Sequence, residues 1–444
     1  MKKIFYKFFS TSAAGLYMVL FAVAIGTATF IENDFGTSAA QKIIFKSTWF
    51  EILLVLFGIT ILTNIFRYQM IRQKKWSTLT FHAAIIVILI GAGITRYFSF
   101  EGAMHIREDD TSNVFTSSET YLLFEAQQNG QTYRFDEKVN FASLGRNRFN
   151  KTYQVGQEVI RVELEDFVPN PENILEPDKN GVPIIKLVIA GDNGREEYYL
   201  AQSDVRNIKG TWFNFGNPER AEAINIYYRN DSLVFRAPEV LTQRVMATQT
   251  LDTIYPVAYQ PLLVRSLYTG TNINFVIGDF SPAAHMAMKS SARKMTNESV
   301  AALQMKVTHG SDQETVYVYG NKGDEGTPEK VSFGGTHLSI AYGAKQIQLP
   351  FSIRLRDFIL DRYPGTNSAS SYASEVTLID PVQQVKRDQR IYMNNILNYR
   401  GYRFFQSSFD QDELGTVLSV NHDYWGTKVS YFCLLYTSPS PRDS

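Results

Sequence analysis

The sequence predicts a membrane α-helical bundle of three N-terminal transmembrane helices that carries a large β-rich extracytoplasmic domain. Three observations lead there. Apolar residues crowd into the first hundred positions, lysine and arginine are placed unevenly around them, and the remainder alternates between short strand-like runs and turn residues.

Residues 13–31 (AAGLYMVLFAVAIGTATFI), 49–66 (WFEILLVLFGITILTNIF) and 79–95 (LTFHAAIIVILIGAGIT) are apolar over roughly the 20 residues that a helix needs to cross a bilayer. Trp49 marks one interface, and Arg96 with Tyr97 marks another. Basic residues precede the first segment as in a signal peptide, but two more spans follow and no small-residue cleavage site ends the run, so it reads as a retained span. Lys2, Lys3 and Lys7 precede the first span, and Arg67, Arg72, Lys74 and Lys75 lie between the second and third with no acid among them. The intervening loop balances Glu32 and Asp34 against Lys42 and Lys46. Basic loops stay in the cytoplasm, so the N-terminus is expected inside and everything after residue 97 outside. Gly15, Ala22, Gly26, Ala28, Gly91 and Gly93 read as small residues that let helices approach in lipid.

Residues 98–430 read as one extracytoplasmic, periplasmic β-rich region. In YLLFEAQQNGQTYRF (121–135) the Asn129-Gly130 pair signals a tight hairpin, and VPIIKLVIAGDNGREEYYLA (182–201) repeats the pattern. Further strands are expected at 223–228, 232–236, 273–279, 315–319, 337–341, 347–355 and 374–379. A helix is expected after Pro282 through HMAMKSSARKM, and another from Glu298 to Lys306.

Composition sets limits. The 44 basic and 44 acidic side chains cancel, so nothing global points to nucleic acid. A single cysteine, Cys433, excludes an internal disulfide, a CxxC redox pair and a cysteine zinc site. The final letters, CLLYTSPSPRDS, interrupt what looks like a new apolar helix and resemble a translated sequencing adapter, so 433–444 is expected to stand in place of a fourth span.

Among candidate chemical groups His82 is foremost. It lies in the third span, about one and a half turns beyond Trp76 and Ser77. An ionisable group in lipid is costly and marks a functional position, and neutral imidazole is a usual axial ligand of haem iron. The plainer reading is a histidine hydrogen-bonded within the bundle or reaching the headgroup layer. His105, His285, His309, His337 and His422 lack any HxH or HExxH spacing and read as strand or surface residues. Asp357, Asp361, Asp410, Asp412 and Glu413 read as solvated loop carboxylates, and no nucleophile or phosphate-loop motif is present.

Several segments resemble ResB-type cytochrome c biogenesis proteins. They are GTATFIENDFGTSAAQKIIFKSTWFEILLVLFGITILTNIFRY (26–68), WSTLTFHAAIIVILIGAGITRYFSFEGAMHIRE (76–108), LPFSIRLRDFILDRYPG (349–365), SYASEV (371–376) and MNNILNYRGYRFFQSSFDQDELGTVLSVNHDYWGT (393–427). The nearest likeness is to the fused System II form (CcsBA-type haem exporter and cytochrome c synthetase), in which a ResB-like half precedes a CcsA-like half. The resemblance implies residence in the bacterial cytoplasmic (inner) membrane. It implies transport of haem b to the outer face and its attachment to the CxxCH cysteines of apocytochrome c. It also implies His82 as an axial ligand of the haem iron. The implied partners are the CcsA-like half, apocytochrome c, thiol-reducing proteins and membrane lipid. The second ligand and the tryptophan-rich haem segment belong to the CcsA-like half, so this chain supplies half a haem site and is not expected to act alone as a synthetase. The alternatives are a membrane-anchored extracytoplasmic scaffold without haem, and a subunit that carries another lipid-like cargo.

A topology test follows from the charge pattern. A reporter fused near residue 72 is expected on the cytoplasmic side, and one near residue 120 on the outer side. The reverse labelling contradicts the orientation.

Overall fold

The computed structural model describes residues 7–437, apart from 192, 193, 272 and 334. It opens with α1 (Thr11–Phe35), α2 (Thr48–Arg67) and α3 (Trp76–Phe98), each long and apolar enough to cross a membrane. Their starts follow from local chemistry. The Ser10 hydroxyl accepts the Ala13 N–H at 3.2 Å, and the Ser47 hydroxyl accepts that of Phe50 at 3.4 Å. Each satisfies a donor that the first helical turn leaves free. On α1, Tyr17, Ala24 and Ala28 pack with Phe50 and Leu53 of α2. Of the small residues expected to mediate packing in α1, Ala28 does so, whereas Gly15 and Gly26 face open space.

The segment between α1 and α2 is itself folded. A helical turn, Thr37–Ala40, runs into a π-helical turn, Gln41–Phe45, and buries Ala39, Ala40 and Ile44. This segment is tied to the strands. Lys46 pairs with Glu119 at 2.8 Å, Lys42 donates to the Asn147 side-chain oxygen, and Phe35 O accepts from Ser143 Oγ and Met295 N. Gly36 turns the chain at φ +91°, where the Met295 carbonyl fills the space a Cβ would take. No other residue fits that position without moving the backbone.

The strands divide into two compact units, Glu172–Lys289 and the remainder of the chain. The larger contains β1 (Phe100–Arg107), β2 (Thr111–Gln128), β3 (Gln131–Val139), β4 (Asn150–Val155) and β5 (Glu158–Pro169). It continues with β6 (Ala301–His309), β7 (Asp312–Gly320), β8 (Glu329–Phe333), β9 (Thr336–Arg362), β10 (Ala369–Asp380) and β11 (Val385–Tyr392). It ends with β12 (Leu397–Tyr399), β13 (Tyr402–Phe409) and β14 (Gly415–His422), followed by helix α4 (Tyr424–Thr437). A ten-stranded sheet runs β11-β10-β9-β2-β1-β14-β13-β12, with β3 on β2 and β8 on β9, and a four-stranded sheet runs β7-β6-β5-β4. Asn129 and Gly130 form the β2–β3 turn with positive φ at both positions, as their sequence requires.

The long strands β2 and β9 serve two cores. Leu122 and Phe124 of β2 and Leu338 and Ile340 of β9 pack with the four-stranded sheet. Phe115 of β2 and Phe351, Ile353 and Leu355 of β9 pack with Phe404 and Leu418. Between the two regions the register slips, Thr116 pairing with Gln346 but Thr120 with Ala344, and within the second region it slips again, Val114 pairing with Gln348 but Ser112 with Ile353. Pro350 falls in this second slip, where no ladder N–H is needed. The smaller unit packs a six-stranded and a five-stranded sheet around Phe213, Phe215, Phe235, Tyr268 and Phe275. The chain leaves the larger unit after Asn170 and re-enters near Ser291, and the two points touch. Ser291 N donates to Asn170 O at 3.0 Å, and Asn170 Nδ2 donates to Ala292 O and Lys294 O.

Two expectations change. The segments read as helices, after Pro282 and from Glu298 to Lys306, are strands Asn274–Ser290 and β6. In β6, Ala301, Leu303, Met305 and Val307 point alternately into the core, and pairing with β5 and β7 overrides the helix preference of Ala, Leu and Met. At the other end of the chain, α4 continues through position 433 to Thr437, and the rest of the adapter-like stretch, 438–444, lies outside the described residues. Asp423 starts α4. It accepts from Gly426 N at 2.9 Å, Thr95 Oγ1 at 2.7 Å and Thr427 Oγ1 at 3.0 Å, which fastens α4 to the end of α3. Gly91 lies against Gly426 and Ser430, the one expected small-residue contact of the third span.

Half-burial pushes the Lys42 amine down to about 8 from the ordinary 10.5. Between those values the unfolded chain holds a proton that the folded chain has released, so stability rises with pH across that window. Lys42→Met removes this contribution. The melting temperature of the parent relative to the variant should climb from pH 8 to pH 10.5, and a constant offset contradicts the assignment.

Candidate functional site

His82 lies on α3 with its Nδ1 2.8 Å from the Thr78 carbonyl oxygen. A carbonyl only accepts, so Nδ1 carries a proton, and in the neutral imidazole Nε2 keeps its lone pair. Among the described residues nothing hydrogen-bonds Nε2, and the ring is half-buried beside the edge of Phe81. A histidine bonded to its own helix one turn back is held in one tautomer and one orientation, the arrangement that metal-ligating imidazoles need from a supporting acceptor.

An apolar groove of about 510 Å³ begins one turn further along the same face of α3. Ile86, Leu89 and Gly93 of α3 and Leu54, Gly58 and Leu62 of α2 line it. Gly58 makes the room, since a Cβ there would press on Leu89. His82 does not line the groove. It precedes Ile86 by four residues, about 6 Å along the axis. At the far end Glu51 closes the groove. Arg96 Nε pairs with its carboxylate at 2.6 Å, Tyr97 Oη donates to it at 2.6 Å, and Arg96 also donates to Phe45 O. The sequence marked Arg96 and Tyr97 as interfacial but not their partner, although an acid inside an apolar run was the available signal. Arg72, Lys74 and Lys75, before α3, are exposed.

The structure gathers some of the residues that the sequence left scattered. Arg107 grips Asp412 through both terminal nitrogens at 2.8 and 2.6 Å and Asp410 at 2.6 Å, and His105 Nε2 lies 2.9 Å from both Asp410 oxygens. The Arg107 hydrogen bonds hold Asp412 down at about 2. Burial pushes Asp410 up, but hydrogen bonds from His105 and Arg107 outweigh it and lower its pKa. Glu413 pairs with Arg362, and Asp361 accepts from Ser371. His309 pairs with Glu158 at 2.9 Å, His285 with Asp178 at 3.4 Å, and His337 with Ser332 at 2.8 Å. His422 stacks on Phe100 at 4.6 Å, and burial lowers its pKa. Among the described residues no group of three or more His, Cys, Asp or Glu is placed to hold a metal ion.

The ResB-like family matches residues 72–158 and 280–433, more than half of the chain, and the chain belongs to that family. The interval without a match covers most of the smaller unit. Protein NrfI of Wolinella succinogenes is 27% identical over 425 residues, 95% of this chain and 33% of that protein. The chain therefore spans about a third of the length of this relative.

The Glu51–Arg96 pair, each side chain less than a third exposed, gives a test of the groove's closed end. In a double-mutant cycle with Glu51→Gln and Arg96→Gln, thermal unfolding in detergent should show a coupling of about 0.5–3 kcal/mol. Additive effects mean that the two side chains act independently.

Proposed function

We propose that this chain works in c-type cytochrome biogenesis as the N-terminal, ResB-like part of a System II haem exporter and synthetase. The CcsA-like part lies in the same longer polypeptide or in a separate subunit. In this reading the chain resides in the bacterial inner membrane with its N-terminus in the cytoplasm and its strands in the periplasm. Haem b crosses the membrane as cargo and is presented to the CxxCH cysteines of apocytochrome c. Each attachment adds a cysteine S–H across a vinyl group of the porphyrin, the sulfur and the hydrogen ending on the two vinyl carbons. The thiols must arrive unpaired, which is where thiol-reducing partners enter.

Family membership supports the pathway. The observation that carries the site is the Thr78–His82 hydrogen bond. It commits Nδ1 and leaves Nε2 as the donor atom that iron needs. The ligand is neutral, so no net charge is buried in lipid. The residues fit an amphipathic macrocycle in kind: a fixed nitrogen adjoining an apolar groove, with exposed Arg72, Lys74 and Lys75 on the cytoplasmic side for the propionates.

The experiment is purification of the chain with its CcsA-like partner from membranes. The parent should show a Soret band. His82→Ala should lose most of the haem and stop cytochrome c maturation, and added imidazole should restore part of the band. Unchanged haem content in the variant removes His82 from the site, and a parent without haem favours a scaffold role for the strands.

A further inference from the structure

A second cavity lies at the opposite end of α3 from His82. The last turns of α3, the start of α4 and strands β12–β14 enclose a cleft of about 840 Å³. Two cations stand in its walls, Arg403 on β13 and Lys428 on α4. Among the described residues neither forms an ion pair. Arg403 Nη2 donates to Asn421 Oδ1 at 3.0 Å and Thr427 Oγ1 at 2.8 Å, both neutral acceptors. Its Nε is buried and has no hydrogen-bond partner among the described residues. A buried donor left unmade is costly, and here it belongs to a charged group that lines open space. The Lys428 ammonium rests 3.6 Å from the centre of the Tyr424 ring.

The one acid in the wall is already committed. Asp423 spends its oxygens on Gly426, Thr95 and Thr427, as the start of α4 requires. The cleft therefore carries two cationic donors against one carboxylate whose oxygens are turned to neutral donors, an excess of one positive charge. Its remaining walls include the aromatic rings of Phe405, Tyr424 and Tyr431. The first turn of α4, a 14-residue helix, adds its own positive pole at the same place. Position narrows the ligand. Arg96 and Tyr97 end α3 beside Thr95, so the cleft opens where the apolar span gives way to polar structure. Molecules met at that depth have an apolar body and a charged head.

We propose that this cleft binds the acidic head group of a membrane amphiphile, its phosphate or carboxylate between Arg403 and Lys428 and its apolar body on Phe405 and Tyr431. Guanidinium and ammonium donors give charge-assisted hydrogen bonds to either acid. The site does not depend on His82, and a metal-free ligand needs no axial nitrogen.

The test uses the purified chain in nanodiscs of neutral phosphatidylcholine. Four probes are titrated: phosphatidylglycerol, protoporphyrin, protoporphyrin dimethyl ester and inorganic phosphate. Retained lipid is counted by native mass spectrometry, and porphyrin binding is followed by absorbance. Lys428→Gln is the decisive variant, because among the described residues that ammonium makes no hydrogen bond or ion pair and rests on the Tyr424 and Trp425 rings. Arg403→Gln is the companion. Phosphatidylglycerol or protoporphyrin should bind the parent about tenfold more tightly than either variant, the loss of about two charge-assisted contacts shared between two cations. Whichever acid shows the loss identifies the head group, and the dimethyl ester should not distinguish parent from variants. Equal binding of both acids by parent and Lys428→Gln overturns the proposal, as does no binding at all. Inorganic phosphate binding as tightly as the amphiphiles overturns the amphiphilic assignment.

Discussion

The pairing of β2 with β9 is the constraint on which the larger unit rests. Both strands are too long for one core, and each gives its inward side chains to two. Leu122 with Ile340 closes the core shared with the four-stranded sheet, and Phe115 with Phe351 closes the other. Side chains alternate along a strand, so a one-residue slip would turn every apolar residue of a core outward. The register change between Thr116 and Thr120 lets each half of the ladder keep its own alignment. The helices inherit this order through β1, which follows α3 after one residue and lies between β2 and β14. Asp423 closes the circuit by holding the start of α4 to Thr95.

The membrane portion obeys a different rule. In an apolar helix every polar atom must find a partner inside the structure or serve a ligand. Thr60 and Thr63 return their hydroxyls to the carbonyls of Leu56 and Ile59 one turn back. Arg96, Glu51 and Tyr97 satisfy one another. Two polar atoms of the spans lack such a partner among the described residues, the Asn64 side-chain oxygen on α2 and Nε2 of His82 on α3.

Much of this was legible in sequence where the signal is local. About twenty apolar residues suffice to mark a span, and the three helices extend only a few residues beyond the expected limits. Asn129-Gly130 dictates its turn through two positive φ angles. What failed depends on distant partners. Residues 337–341 and 347–355 read as two strands, yet β9 is continuous because its whole length pairs with β2 and β10, and the slip against β2 absorbs Pro350. Residues 301–309 carry helix-forming side chains and become a strand because β5 and β7 flank them. The boundary at 172 and 289 left no mark, since the strands on either side alternate in the same way. In the site, His82 was visible as a polar residue in an apolar run. The Thr78 bond was not, because it depends on a rotamer, and the Glu51 closure was not, because it joins two helices.

The contact between Asn170 and Ser291 has a consequence for how much chain can be inserted between them. With departure and return stapled at one spot, the ends of β5 and β6 remain neighbours whatever is threaded between them. A long excursion costs little more loop-closure entropy than a short one when its ends are already pinned together. Such a junction acts as a docking port for spare genetic material. The intervening 118-residue module, Glu172–Lys289, can therefore change in length while the frame on either side, which the family model matches, keeps its geometry.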